Sequence, residues 1–142
     1  MLVTSMPLKL YHLIVVLGLF IAKAGGRQLP PDVKKIWLNL SSPYQDECIT
    51  FSGTDPALVA MITEKAYVAD VRSLGCYLMC TYKKLGFLLI DGNFVSHQIL
   101  SKASYMTDPF TTACIDEASG EVDLCLKSLI AGNCTISGLS LP

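Results

Sequence analysis

The stretch from Asp70 to Gly86, DVRSLGCYLMCTYKKLG, decides the architecture. Cys76 and Cys80 stand four apart, so on a helix they project from one face and each can reach a different neighbouring element. Asp70 is an N-cap candidate, Lys83-Lys84 suit a helix C-terminus, and Gly86 is a stop signal. The segment therefore reads as a central strut stapled to two partners. The other cysteines are Cys48, Cys114, Cys125 and Cys134, giving six in all, and an even number in a small exported chain implies three disulfides. A zinc site would need a second short knuckle, and the later intervals of ten and eight residues do not supply one. Spacing alone leaves 15 connectivities open.

Export is read from the start of the chain. Lys9 precedes the uncharged run Leu13 to Ala22, and Ala22-Lys23-Ala24 has the A-x-A form of a cleavage site. Residues 1–24 are expected to be a signal peptide and residues 25–142 the mature helical domain. A membrane anchor needs about 20 apolar residues, whereas this run stops at Lys23 and Gly25-Gly26. No membrane insertion of the mature chain is expected, and the destination is extracellular. Taking 24 residues from 142 leaves 118, enough for one core. With Lys9 and Lys23 removed, nine basic residues face twelve acidic ones, a net charge of −3. No run of Lys or Arg forms a basic stripe, so nucleic acid is not an expected partner.

The mature chain lacks sustained period-2 alternation and is rich in helix start and stop signals, so the class is all-α. A first helix opens near Pro31-Asp32, carries Ile36, Trp37 and Leu40, and is interrupted at Pro43 before continuing toward Cys48. Asp55-Pro56 caps a second helix with Leu58, Met61 and Ile62 on one face. The strut is the third. A turn at Asp91-Gly92 follows, then a short helix from about Phe94 to Lys102. Asp108-Pro109 opens the helix of Cys114, closed by Gly120, and Glu121 opens a last one running from Cys125 to Ala131. Six short helices result.

The intervals Cys48-x27-Cys76-x3-Cys80-x33-Cys114-x10-Cys125-x8-Cys134 resemble the six-cysteine pattern of insect odorant-binding proteins. The x3 and x8 intervals are the specific ones, and Ser52-Gly53, Cys76-Tyr77, Gly86 and Asp91-Gly92 add to the likeness. The resemblance implies a compact bundle of about six helices around an apolar cavity. It also implies interlocked bridges from Cys48 to Cys80, Cys76 to Cys125 and Cys114 to Cys134. Gly75 departs from the pattern, where a longer side chain is common. A glycine inside a helix costs up to about 1 kcal/mol relative to alanine, so Gly75 points to close packing against a neighbour.

Nothing in the residues favours catalysis. His97 is the one histidine after the leader, no cysteine is left over, and Ser96 and Ser101 have no Gly-x-Ser-x-Gly elbow near them. Asp116-Glu117 and Glu121-Asp123 lack the EF-hand spacing and read as helix-end carboxylates. No catalytic residue, metal or cofactor is expected. The sequons Asn39-Leu40-Ser41 and Asn133-Cys134-Thr135 are read as packed or cystine-linked, with Asn39 the better acceptor.

The apolar residues are the functional material. Trp37, Leu58, Ile62, Phe94, Ile99, Leu100, Met106, Phe110, Leu129, Ile136 and Leu139 are the candidate ligand-binding set, each also readable as core. Tyr105, Thr111 and Ser128 are candidate polar anchors. The expected function is a secreted carrier that reversibly binds a small hydrophobic ligand, an odorant, pheromone or lipid-like molecule. Delivery to a membrane odorant receptor and homodimer formation are further partner readings. The alternative is an extracellular signalling or defence protein using the bundle as a protein-binding module. The tail Thr135 to Pro142, apolar and without an ionisable side chain, is too short for an isolated helix and is expected to dock as a lid. Affinity is expected to fall with pH through the Pro142 carboxylate and His97.

Overall fold

The computed structural model describes residues 26–142, so the expected leader lies outside the described residues. The helices are α1 (Pro31–Ser41), α2 (Gln45–Ser52), α3 (Pro56–Glu64), α4 (Arg72–Leu85), α5 (Ser96–Lys102), α6 (Asp108–Ala118) and α7 (Leu124–Leu139). A 3-10 turn, Ser42–Tyr44, joins α1 to α2 at Pro43, so the pair forms one bent rod and the bundle has six members. Among the described residues there is no strand, only isolated bridges between Gln28 and Leu141 and between Leu88 and Phe94. The all-α expectation holds.

α4 is the strut. Leu74, Gly75, Tyr77, Leu78, Met79, Cys80, Thr81 and Leu85 are all buried, and a helix covered nearly all round belongs in the middle of a fold. The bridges are Cys48–Cys80, Cys76–Cys125 and Cys114–Cys134, the pairing that the resemblance implied. Two leave α4 in different directions, to α2 and to α7, and the third ties α6 to α7. Lys84 meets Glu47 at 2.6 Å beside the α2 bridge.

The crossing of α4 and α7 is close because two glycines permit it. A Cβ built on Gly75 would overlap the carbonyl oxygen of Cys125 and lie 3.1 Å from Leu129 Cβ. One built on Gly132 would come within 2.7 Å of Leu78 Cδ1. Gly75 thus marks the close packing read from the sequence.

Asp123 fixes the same corner. Its carboxylate accepts hydrogen bonds from the Cys125 and Leu126 N–H groups, capping α7, and pairs with Arg72 at 2.8 Å, at the start of α4. Hydrogen bonding and charge pairing with Arg72, with help from the backbone donors, hold this carboxyl below the usual carboxylate range. Because the folded state lowers its pKa, the contribution is present above the unfolded value near 3.9 and is lost as pH falls through the depressed folded value. Asp123→Asn is therefore expected to lower the urea midpoint at pH 7, and the gap from wild type should close on acidification. A gap that persists at pH 2 would contradict this assignment.

Several boundaries differ from expectation. α4 begins at Arg72 with Val71 as its cap residue, and Asp70 makes no cap. α5 starts at Ser96, because Phe94 is held in the bridge to Leu88. α7 opens after Asp123 and runs to Leu139, eight residues past Ala131. The tail is thus a helix through Leu139 and not a separate lid; it needs no independent stability because it extends a helix already packed on α4. Docking does hold: Leu141 and Gln28 exchange two backbone hydrogen bonds at 2.7 and 3.0 Å, and Arg27 donates to the Ser137 carbonyl.

Candidate functional site

Two adjoining pockets, each partly open to solvent, run into the bundle. The first, about 60 Å³, is lined by Tyr82 and Phe87 from α4 and its end, Phe94, Ile99 and Ala103 around α5, and Tyr105 and Met106 from the following loop. Thr111, Cys114 and Ile115 of α6 and Ala131 and Thr135 of α7 complete it. The second, about 20 Å³, lies against Leu29, Val33, Trp37, Ile62, Val68 and Leu78, with Ile136 and Leu139 of the tail. Tyr82, Tyr105 and Thr135 border both. The cavities are therefore two chambers of one interior, divided by a wall of those three side chains.

Tyr82 is the hub of that wall. Its ring lies edge-on to Trp37 at 6.2 Å on one side and to Phe94 at 6.3 Å on the other, with Phe87 also at 6.3 Å. Such pairs fix ring orientation beyond what area burial gives. Burial raises the Tyr82 pKa well above that of a free phenol and pushes Tyr105 up to about 12. Both hydroxyls therefore stay protonated and remain hydrogen-bond donors throughout the physiological range.

Of the eleven expected ligand-binding residues, Trp37, Ile62, Phe94, Ile99, Met106, Ile136 and Leu139 border the chambers. The other four do not. Leu58 packs against the main core. Phe110 lies over Gly138, where a Cβ would come within 2.6 Å of its ring. Leu129 is buried under the α4 crossing and borders a groove shared with Tyr67 and Asn133. Leu100 is half-buried on α5 and borders neither chamber. Of the polar anchors, Tyr105 and Thr111 line the first chamber and Ser128 is buried away from both. The wall residues Tyr82 and Thr135 were absent from the expected set; a polar atom on a core-facing helix position was the signal that could have found them.

The residues weighed for chemistry go elsewhere. His97 is exposed on α5, Ser101 Oγ donates to the Gln98 carbonyl, and Glu121 accepts from the Asp123 N–H. His97 and Pro142 border neither chamber, so the pH dependence expected through them has no contact to act on. Asn39 and Asn133 are both exposed, contrary to the packed placement expected.

The chambers can hold an apolar body and offer it hydroxyl groups. No Lys, Arg, His, Asp or Glu borders either one. At about 60 Å³ the larger is well below the roughly 300–1,000 Å³ of ordinary ligand pockets. A ligand of several carbons must therefore displace wall side chains, and Met106, unbranched and adaptable, is suited to yield.

Comparison with curated proteins and with solved structures gives no match. The model of the PBP/GOBP family, the pheromone- and general odorant-binding proteins of insects, matches residues 37–137, a span that begins at Trp37 and includes all six cysteines. With its stapled six-helix bundle and divided apolar interior, the chain belongs to the PBP/GOBP family.

Proposed function

We infer that the chain is a secreted carrier of small hydrophobic ligands, with volatile odorants or pheromones as the ligand class, binding reversibly and without chemistry. The observation that carries this reading is the divided apolar interior, walled by Phe87, Phe94, Ile99 and Met106 on one side and Trp37 and Ile62 on the other. Three disulfides support it physically. Cross-links restrict the unfolded chain, so stability does not depend on filling every part of the core, and some interior can be left for a guest. The family is a binding family, which agrees with a site that holds hydroxyls and apolar carbon but no acid-base pair.

The test is titration of refolded, delipidated protein with N-phenyl-1-naphthylamine, a fluorescent apolar probe. Saturable one-site binding, displaced by alcohols or esters, is the expected result; a linear, unsaturable rise would refute the carrier reading. Trp37 supplies a second readout, because it borders the smaller chamber and its ring meets Tyr82 in the dividing wall. Saturation with 1-octanol is expected to shift its emission. Unchanged emission would place the ligand where it does not reach the wall.

A further inference from the structure

Among the buried and half-buried helix threonines of the described residues, Thr111 alone has no hydrogen-bond partner. Thr81 donates to the Tyr77 carbonyl at 3.0 Å and Thr135 to the Ala131 carbonyl at 2.9 Å, each bonding four residues back along its own helix. Thr111 sits in the same kind of helical setting on α6, at 1% exposure, and its Oγ1 has no partner. An unpaired buried hydroxyl is costly, and this one belongs to a residue in the wall of the larger chamber. Ser128 Oγ is also buried and unpaired, but it borders neither chamber.

We propose that Thr111 is the polar anchor of the cavity, and that it selects neutral ligands bearing an oxygen function, such as an alcohol, aldehyde or ester, over ionised acids. Its hydroxyl both donates and accepts, so it suits a carbonyl, an ether oxygen or an alcohol. An ionised carboxylate would enter a chamber bordered by no cationic side chain, and a buried unpaired charge is far more costly than a buried neutral oxygen. Tyr82 and Tyr105 on the dividing wall add two phenolic donors, so an elongated guest can place its oxygen near the partition and its chain beside Phe94 and Ile99. The proposal rests on the carrier reading and adds the residue that sets the preference for a neutral oxygen function over a carboxylate.

The experiment compares wild type, Thr111→Val, Thr111→Ser and Ser128→Ala in displacement of N-phenyl-1-naphthylamine by 1-octanol, n-octane and octanoate at pH 7. Thr111→Val is expected to weaken 1-octanol about three- to tenfold, the worth of one hydrogen bond, and to leave n-octane within about twofold. Thr111→Ser should keep the preference for the alcohol, and Ser128→Ala should not alter it. The ligand-free Thr111→Val protein should melt several degrees higher than wild type, because an unsatisfied hydroxyl is gone. Octanoate should bind wild type at least about tenfold more weakly than 1-octanol. Equal effects of Thr111→Val on alcohol and alkane, no effect on either, or octanoate binding as well as 1-octanol would each overturn the proposal. Probe binding that none of the three compounds displaces would also overturn it while leaving the carrier reading in place; absence of probe binding would remove both.

Discussion

Removing the bridge between α4 and α7, as Cys76→Ala with Cys125→Ala, is expected to cost about 4 kcal/mol of stability, from the loop-closure relation for its sequence separation of 49 residues. Domains of this size are stable by roughly 5 to 15 kcal/mol, so the variant should sit near the edge of folding. The corresponding figure for Cys114 with Cys134, which are 20 apart, is about 3 kcal/mol. The central bridge has a second role that the loop-length relation omits. Its cysteines have Cα atoms 4.3 Å apart, and it lies beside the Asp123–Arg72 pair at the start of both helices. Losing it releases the starts of α4 and α7 together, whereas Tyr82 and Thr135 lie toward the other ends of these helices, beside the Cys48–Cys80 and Cys114–Cys134 bridges. Urea unfolding of both double variants, followed by helical circular dichroism, checks the order. A loss under about 2 kcal/mol for Cys76 with Cys125 would mean that packing, not the cross-link, holds the crossing.

Different physical signals made different parts of this structure legible. The strut was readable because Cys76, Cys80 and Gly86 are punctuation: a four-residue spacing and a left-handed stop, borne out by Gly86 at φ +76°. The partners of those cysteines were not readable from spacing, and came only with the family pattern. α7 was read too short, ending at Ala131, and the stretch beyond it holds two glycines, Gly132 and Gly138. In the structure each provides room, the first for Leu78 and the second for the Phe110 ring, and tertiary packing outweighs the helix-propensity cost of glycine. The site was legible only in part. Periodicity identifies the face of a helix that turns inward, and Leu58 and Leu129 both obey it. It does not distinguish an inward residue that meets another side chain from one that meets a gap. Tyr82 shows the converse: its polar hydroxyl kept it out of an apolar list, although three aromatic neighbours make it the center of the wall.

Gly75→Ala gives the sharpest separation of local from tertiary effects. Judged by the helix alone, the change should stabilise α4 by up to about 1 kcal/mol, since alanine is the better helix former. The structure reverses the sign. The added methyl would occupy the space of the Cys125 carbonyl oxygen and press on Leu129 Cβ. The first of these atoms is backbone, fixed by the helix it belongs to and by the bridge that Cys125 itself makes to Cys76, the residue after Gly75. A flexible side chain could swing aside, but here two helices must separate, at a cost of about 1 to 3 kcal/mol or more for overpacking. The net expectation is destabilisation of about 1 to 2 kcal/mol, together with slower formation of the central bridge during oxidative refolding. Gly120→Ala is the internal control: nothing lies within 4 Å of its added carbon and its φ is not positive, so it should be neutral or stabilising by up to about 1 kcal/mol. Chemical denaturation of the two oxidised variants against wild type reads the comparison directly. If Gly75→Ala proves as stable as Gly120→Ala, α4 and α7 are not packed backbone to backbone at this crossing.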